Sequence, residues 1–243
     1  MTEPARFLRK GYRRVEYSDV NENADFEDWV EFGRDGETSQ TNALQAVRYD
    51  REKSPGGIYF TFNRLNPAVL ARSPEKINEY ASNTTSDHDV IHRQWLLIDI
   101  DPDRPTGIPS SEAELEAARI VGQQVRDWLM NQHGFLEPIE AMSGNGWHLM
   151  FPIDMPNSPD ATELVKRALF AAAGRFGGAN TPAGLPTVTV DTSVFNPGQL
   201  TKLYGTMVHK GHAIEGRPLR RSRIVHVPDA LNVLDTEFPS HDS

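Results

Sequence analysis

Two aspartates two residues apart, Asp99 and Asp101, close the apolar run in WLLIDIDPD (95–103). A strand turns successive side chains to opposite faces, so residues i and i+2 share one. Trp95, Leu97, Asp99 and Asp101 therefore point one way, and Leu96, Ile98 and Ile100 the other. Carboxylates side by side repel, and ionising both is costly unless a cation lies between them. The chemistry this spacing suggests is divalent metal binding. The competing reading is a turn, because Asp101-Pro102-Asp103-Arg104-Pro105 has turn chemistry of its own. Only partners elsewhere in the chain make the pair a site.

Three stretches supply such partners. Asp191 closes TVTVD (187–191), where alternation sets Val188 and Val190 on one face and Thr189 and Asp191 on the other. SGNGWH (143–148) places Gly144 and Gly146 on either side of Asn145. Glycines there allow positive φ and expose backbone N–H groups that can cradle phosphate oxygens. Ser143 and His148 add a hydroxyl and an imidazole at the two ends of that turn. NPGQLTKLYGT (196–206) puts Lys202 soon after Asp191, as a cation for phosphate. Singly, these read as a turn former, a hairpin and a surface lysine. Together, in this order, they form a constellation.

The elements that must position these residues are legible from periodicity and caps. GGIYFTFN (56–63), residues 94–100, EPIEAM (137–142), WHLMFPI (147–153) and TVTVD read as strands. The clearest helix runs over 111–134, with Ser111 and Glu114 as capping box and Gly134 as its stop. Its apolar stripe is Leu115, Ala118, Val121, Val125 and Trp128/Leu129. A second helix spans about Pro159 to Phe176, ahead of Gly177-Gly178. Shorter helices are expected over 41–50, 73–80 and around Phe26 to Phe32. The strand–helix–hairpin–helix–strand order from 94 to 191 predicts an α/β (α+β) fold. In it a mixed sheet carries helices on one face and leaves the other free as a cleft.

Composition narrows the function classes. At 243 residues there is ample core for one large domain or two small ones. No apolar run approaches the roughly 20 residues of a membrane span, and no membrane partner is expected. MTEPARFLRK lacks the apolar centre of a secretory signal, which points to the cytoplasm. With no cysteine there is no Cys-ligated zinc, and zinc is not expected as a cofactor. A net charge of −9 argues against coating nucleic acid by bulk charge, which leaves local patches. RFLRKGYRR (6–14) is one. RPLRRSR (217–223), with Arg217, Arg220, Arg221 and Arg223, is the other, and its nearness to Asp191 and Lys202 suggests a flank of DNA contacts.

The ordered triplet resembles the archaeo-eukaryotic primase superfamily, in particular the primase-polymerase domains of phage, plasmid and CRISPR-associated replication proteins. WLLIDID matches its strand ending in DxD, SGNGWH its small-residue turn ending in histidine, and VTVD its later strand ending in aspartate. GIYFTFNRLNP and TTSDHDVIHRQ look like the segments before the first motif, so the resemblance covers roughly residues 56 to 225. It implies an RRM-like palm module over 94–230 and a smaller N-terminal α/β module over 41–93, flanked by a polar arm (1–40) and a tail (231–243). It implies that Asp99, Asp101 and Asp191 hold two Mg²⁺ or Mn²⁺ ions. Ser143, His148 and Lys202, with the turn's Gly144, Asn145 and Gly146, would contact the triphosphate of an NTP or dNTP. Asn63 and Arg64, at the end of the early strand, would line the same pocket. The implied partners are a single-stranded DNA template and a helicase domain or other replication or CRISPR proteins.

Two other classes compete. A nucleotide cyclase-like enzyme also uses strand-borne aspartates, but the SGNGWH turn disfavours it and a template requirement separates the two. A non-catalytic origin-binding or single-strand-binding domain would not need three intact acidic positions. His88 and His92, four residues apart but without a suitable carboxylate, read as surface residues rather than as the metal motif of a nicking initiator.

Overall fold

The structure, a computed structural model, describes residues 16–17, 29–30, 50–52, 57–72 and 85–229. Two short strands near the start, β1 (Glu16–Tyr17) and β2 (Trp29–Val30), pair antiparallel. The helix expected around Phe26 to Phe32 is therefore a strand at its described residues, in line with the extended preference of Trp and Val. Of the helix expected over 41–50 only Asp50 is described, and it is helical together with residues 51–52; the helix expected over 73–80 lies outside the described residues.

The strands β3 (Tyr59–Thr61) and β4 (Arg64–Leu65) precede β5 (Val90–Pro102), the 13-residue strand that carries the aspartate pair. There follow α1 (Glu112–His133), β6 (Ile139–Met142), β7 (Trp147–Pro156), α2 (Pro159–Phe176) and β8 (Val188–Val190). Two more strands, β9 (Leu200–Lys202) and β10 (Arg223–His226), complete the order. The run β5-α1-β6-β7-α2-β8 forms a sheet ordered β8-β5-β7-β6. That is the RRM-like split βαβ arrangement. β10 adds to β6, and β4 pairs with the first half of β5 while β8 pairs with its last residues. All of these pairings are antiparallel.

Local chemistry explains the helices. Ser111 and Glu114 form the expected reciprocal cap: the Glu114 N–H donates to Ser111 Oγ at 3.2 Å, and the Ser111 N–H to Glu114 Oε2 at 2.9 Å. Gly134 ends α1 in the left-handed region at φ 70. Ser158 caps α2, with Pro159 at its first turn. Ala117, Ala118, Val121, Val125 and Leu129 of α1 join Val165, Leu169 and Ala172 of α2 over Ile98, Ile100, Leu149 and Phe151. Leu115 and Trp128, expected in the α1 stripe, are half-buried at its edge.

The face of the sheet turned away from this core is not the open cleft that the sequence suggests. β3 and β9 pair as a two-stranded ribbon, and β9 with the residues after it lies over β5 and β7. This cover explains why Trp95 and Leu97 are as buried as Leu96 and Ile98. A β5 covered on both sides reads as a continuous apolar run, as observed. What remains is a pocket where the ribbon stops short of the end of β5. Among the described residues, no helix is long and apolar enough to cross a membrane.

Candidate active site

Strands β5, β7 and β8 bring Asp99, His148 and the backbone of Asp191 into register. Asp99 stands opposite His148 in the β5–β7 pairing. On its other side, the Asp191 N–H donates to the Asp99 carbonyl at 2.8 Å, extending the β5–β8 pairing by one residue. Residues opposite one another in an antiparallel pair share a face. His148, Asp99 and Asp191 thus form a row across the sheet, and Asp101 lies one pleat further along β5. The pocket above is lined by Asp99, Asp101, Ser143, Asn145, His148 and Lys202, together with Tyr59, Arg104, Thr201 and Lys210.

His148 is clamped from both sides. Its Nδ1 lies 2.6 Å from the Tyr204 hydroxyl and 3.4 Å from Thr201 Oγ1. Its Nε2 lies 3.2 Å from Asp99 Oδ1, within ion-pair reach but out of line for a hydrogen bond. Asp99 Oδ1 is consequently a buried acceptor without a hydrogen-bond donor. Burial opposes the charge on Asp99, but the adjacent His148 and then Lys210 outweigh it and hold the carboxyl below the usual range. For Asp101 the balance reverses. Burial, then the negative charge of Asp99, push it up to about 6.

The turn between β6 and β7 is built to let the backbone pass close to the aspartates. A Cβ on Gly146 would meet the Ile100 carbonyl and lie 2.5 Å from Asp101 Oδ1, so only glycine fits beside that carboxylate. Gly144 is at φ 109 and packs against Val208, whose Cβ would be 2.8 Å from an added one. Gly146 has an ordinary φ, so its requirement is space rather than conformation. The turn's N–H groups are largely used internally: Gly146 donates to Ser143 Oγ, Ser143 to the Gly146 carbonyl, and Gly144 to Met142 Sδ. The Asn145 side-chain oxygen accepts from the Ser110 N–H at 3.0 Å and ties the turn to the start of α1. The N–H groups of Ser143, Gly144 and Gly146 are thus engaged within the turn.

Lys202 is the opposite case. It is 5% exposed, yet its Nζ has no hydrogen-bond partner and lies 4.5 Å from the centroid of the Tyr59 ring. Burial brings its ammonium down to about 8. Desolvating an ammonium without hydrogen bonds is costly, and this one faces the pocket that holds the two aspartates.

Several expected site residues are placed elsewhere. Asn63 is buried and fully bonded: its Oδ1 accepts from the Gln94 and Trp95 N–H groups, and its Nδ2 donates to the Pro197 carbonyl. It bridges the bulge in β5 instead of lining the pocket. Arg64 is exposed opposite His92 and also lies off the pocket. Asp191 joins the row through its backbone, while its Oδ1 accepts from the Ser193 N–H at 2.7 Å. Among the described residues, no three His, Asp or Glu side chains converge as a metal cluster. His88 is exposed and His92 pairs with Asp154, as befits surface residues.

The expected DNA-binding arginines are spent on the fold. Arg217 makes a forked pair with Glu114, at 2.6 and 2.7 Å, and donates to the Pro109 carbonyl. Arg220 bonds the Ser110 carbonyl and Glu112, and Arg221 bonds the Gly205 carbonyl and Asp50. Arg223 stands in β10 opposite Met142 and is itself engaged. A planar guanidinium matched to a carboxylate and a carbonyl is a clasp, not a free phosphate contact. RFLRKGYRR lies outside the described residues. Sequence reasoning overlooked Tyr204, Thr201, Arg104, Lys210 and Tyr59. A tyrosine in LTKLYG reads as core, and no linear spacing joins it to a histidine 56 residues earlier.

No protein-family profile matches the chain, and no curated protein matches it. Among solved structures the chain is similar to the polymerase domain of Ligase D from Mycobacterium tuberculosis, solved in complex with DNA. The two share 18% identity at a TM-score of 0.40, over 80% of this chain and 58% of that one. The chain thus spans less than two thirds of that structure's length. The case for function rests on the site itself.

Proposed function

We propose that the protein is a template-directed nucleotidyltransferase, a primase-polymerase that begins or extends a strand on single-stranded DNA from NTPs or dNTPs. The observation that carries this reading is one pocket with two opposed appetites. On the sheet lie two adjacent carboxylates, one with a buried oxygen lacking a donor, and opposite stands a buried ammonium lacking an acceptor. Carboxylates seek a cation and the ammonium seeks an anion, and a metal-bound triphosphate is both at once.

The donor set fits a hard dication, because carboxylate oxygens and no thiolate face the pocket. Asp99 and Asp101 would hold it, with Asp191 joining through its second carboxylate oxygen. Mg²⁺ or Mn²⁺ bound there, as one or two ions, would supply Lewis-acid activation of the attacking hydroxyl and neutralise charge on the leaving pyrophosphate. Lys202 and the Ser143 hydroxyl would bind phosphate oxygens, and His148 would present Nε2 to the pocket 3.2 Å from Asp99 Oδ1. The ribbon β3–β9 ends beside the site and supplies Tyr59, Thr201 and Lys202 to its wall. Phosphoryl transfer asks chiefly for such positioning and charge complementarity.

The test is a gel assay on primed and unprimed single-stranded DNA, with labelled NTPs or dNTPs and Mg²⁺ or Mn²⁺. Template-complementary products are expected, falling to background in Asp99→Ala and Asp101→Ala. Products made without a template would indicate a cyclase-like or terminal nucleotidyl enzyme. DNA binding without any product would leave only a binding domain, and near wild-type extension by either variant would remove the carboxylates from the chemistry.

A further inference from the structure

Behind the acidic pair, Tyr204 is fully buried with its hydroxyl 2.6 Å from His148 Nδ1, and its ring meets the imidazole edge-on at 5.8 Å. The phenol carries one proton to donate. The hydroxyl also bonds Thr201, but Nδ1 at 2.6 Å, an imidazole nitrogen, is a better acceptor for its proton than a threonine hydroxyl, which can itself donate, or than the thioether of Met150 at 3.8 Å. On the far side of the ring, Nε2 faces a carboxylate, which only accepts. Both ends of the imidazole therefore call for the same arrangement: Nδ1 bare and accepting, Nε2 protonated on the side of Asp99. We infer that Tyr204 is a positioning residue, setting the tautomer and orientation of His148 so that its protonated Nε2 stands 3.2 Å from Asp99 Oδ1, an electrostatic contact that favours the carboxylate's charge and leaves its oxygen open to a divalent cation. Thr201 Oγ1, 3.4 Å from the same Nδ1, is a longer second contact that keeps the ring from turning over. Partners behind a ligating group commonly fix its orientation in this way. The inference rests on the proposed metal-dependent function only for its consequence, not for the tautomer.

The experiment combines imidazole ¹H–¹⁵N correlation spectra with Mn²⁺ titration, on the wild-type chain and on Tyr204→Phe, which keeps the ring and removes one oxygen. The wild-type His148 spectrum is expected to show the proton on Nε2 and a bare Nδ1. In Tyr204→Phe the two tautomers should mix and Mn²⁺ affinity fall about tenfold, the low end of what such partners are worth, while the melting temperature without metal changes little. A wild-type Nδ1 carrying the proton would overturn the inference, and needs no variant if Tyr204→Phe fails to fold. An unchanged spectrum in the variant would overturn it too, as would unchanged Mn²⁺ affinity. A wild-type chain that binds no Mn²⁺ would sink the proposed function instead, and the two spectra would still decide the tautomer.

Discussion

Lys202 and Asn63 are both buried polar residues that the sequence places near the same pocket, yet they differ in what they leave unsatisfied. Asn63 has partners for both ends of its amide, so its burial costs little and its role is architectural. Lys202 has none for Nζ, so its burial is a standing cost that a ligand would relieve. Its folded value near 8 lies below the ordinary 10.5. The unfolded chain therefore holds this proton more tightly. The cost to stability is full below about pH 8 and fades as pH rises toward 10.5. Lys202→Met should accordingly stabilise the protein at pH 7, by about 1–2 kcal/mol once the lost cation–π contact with Tyr59 is set against it. The same variant should raise the nucleotide KM by about 10–100-fold, the worth of a charged hydrogen bond. In the wild type, nucleotide affinity should weaken from pH 8 to 9.5 as the ammonium deprotonates, and Lys202→Met should lose that dependence. Urea denaturation and steady-state kinetics check both. A variant that is less stable and binds nucleotide normally would return Lys202 to a structural role.

At the scale of elements, the segment from Gly205 to Arg223 is a strap pinned to the start of α1. Val208 packs on Gly144, the His212 N–H donates to the Gly107 carbonyl, and Arg217 and Arg220 clasp Glu114, Glu112 and Ser110. Lys210 reaches the pocket from this strap. Burial alone would raise the Glu114 carboxyl, but hydrogen bonds from Arg217 hold it below 4.5. Its contribution to stability is thus present above the unfolded value and lost as pH falls through the folded one. Arg217→Ala, which strands a largely buried carboxylate, should cost about 3 kcal/mol at neutral pH, and the loss should shrink as pH falls and Glu114 protonates. Arg220→Ala/Arg221→Ala should lower the melting temperature and leave the salt dependence of single-stranded DNA binding unchanged. Free arginines on phosphate would instead reduce the slope by about 0.7 for each contact removed.

For the whole molecule, an overall charge of −9 sets the background against which the site works. Asp101, pushed up to about 6 by burial and then by Asp99, shows that the pair is ill at ease without a cation. A dication bound only by the folded state stabilises it by mass action, about 2.7 kcal/mol at a hundredfold excess over Kd. In a chain of this size that corresponds to a rise in melting temperature of roughly 5–10 °C. Saturating Mn²⁺ should produce this rise in the wild type, chelator should reverse it, and Asp99→Asn/Asp101→Asn should abolish it. An equal rise in the double variant would place the ion elsewhere.

The sequence by itself determined what depends on neighbours in the chain. Period-two alternation put Asp99 with Asp101, and Val188 with Val190, on shared faces. Cap chemistry placed the start of α1 at Ser111, and the strand–helix order announced a sheet with helices on one face, though as a mixed sheet, whereas all the described pairings are antiparallel. Tertiary structure alone decided which polar groups remained free. Asn63 is satisfied by a carbonyl 134 residues away, and Arg217 by a carboxylate 103 residues away. The cover of β3 and β9 over the sheet, and the placing of Tyr204 behind His148, are likewise decided at long range. A charged or amide side chain reads the same in sequence whether it will meet solvent, a ligand or a distant partner. Its availability for chemistry is settled by the contacts that folding spends on it, and those contacts have no local signature.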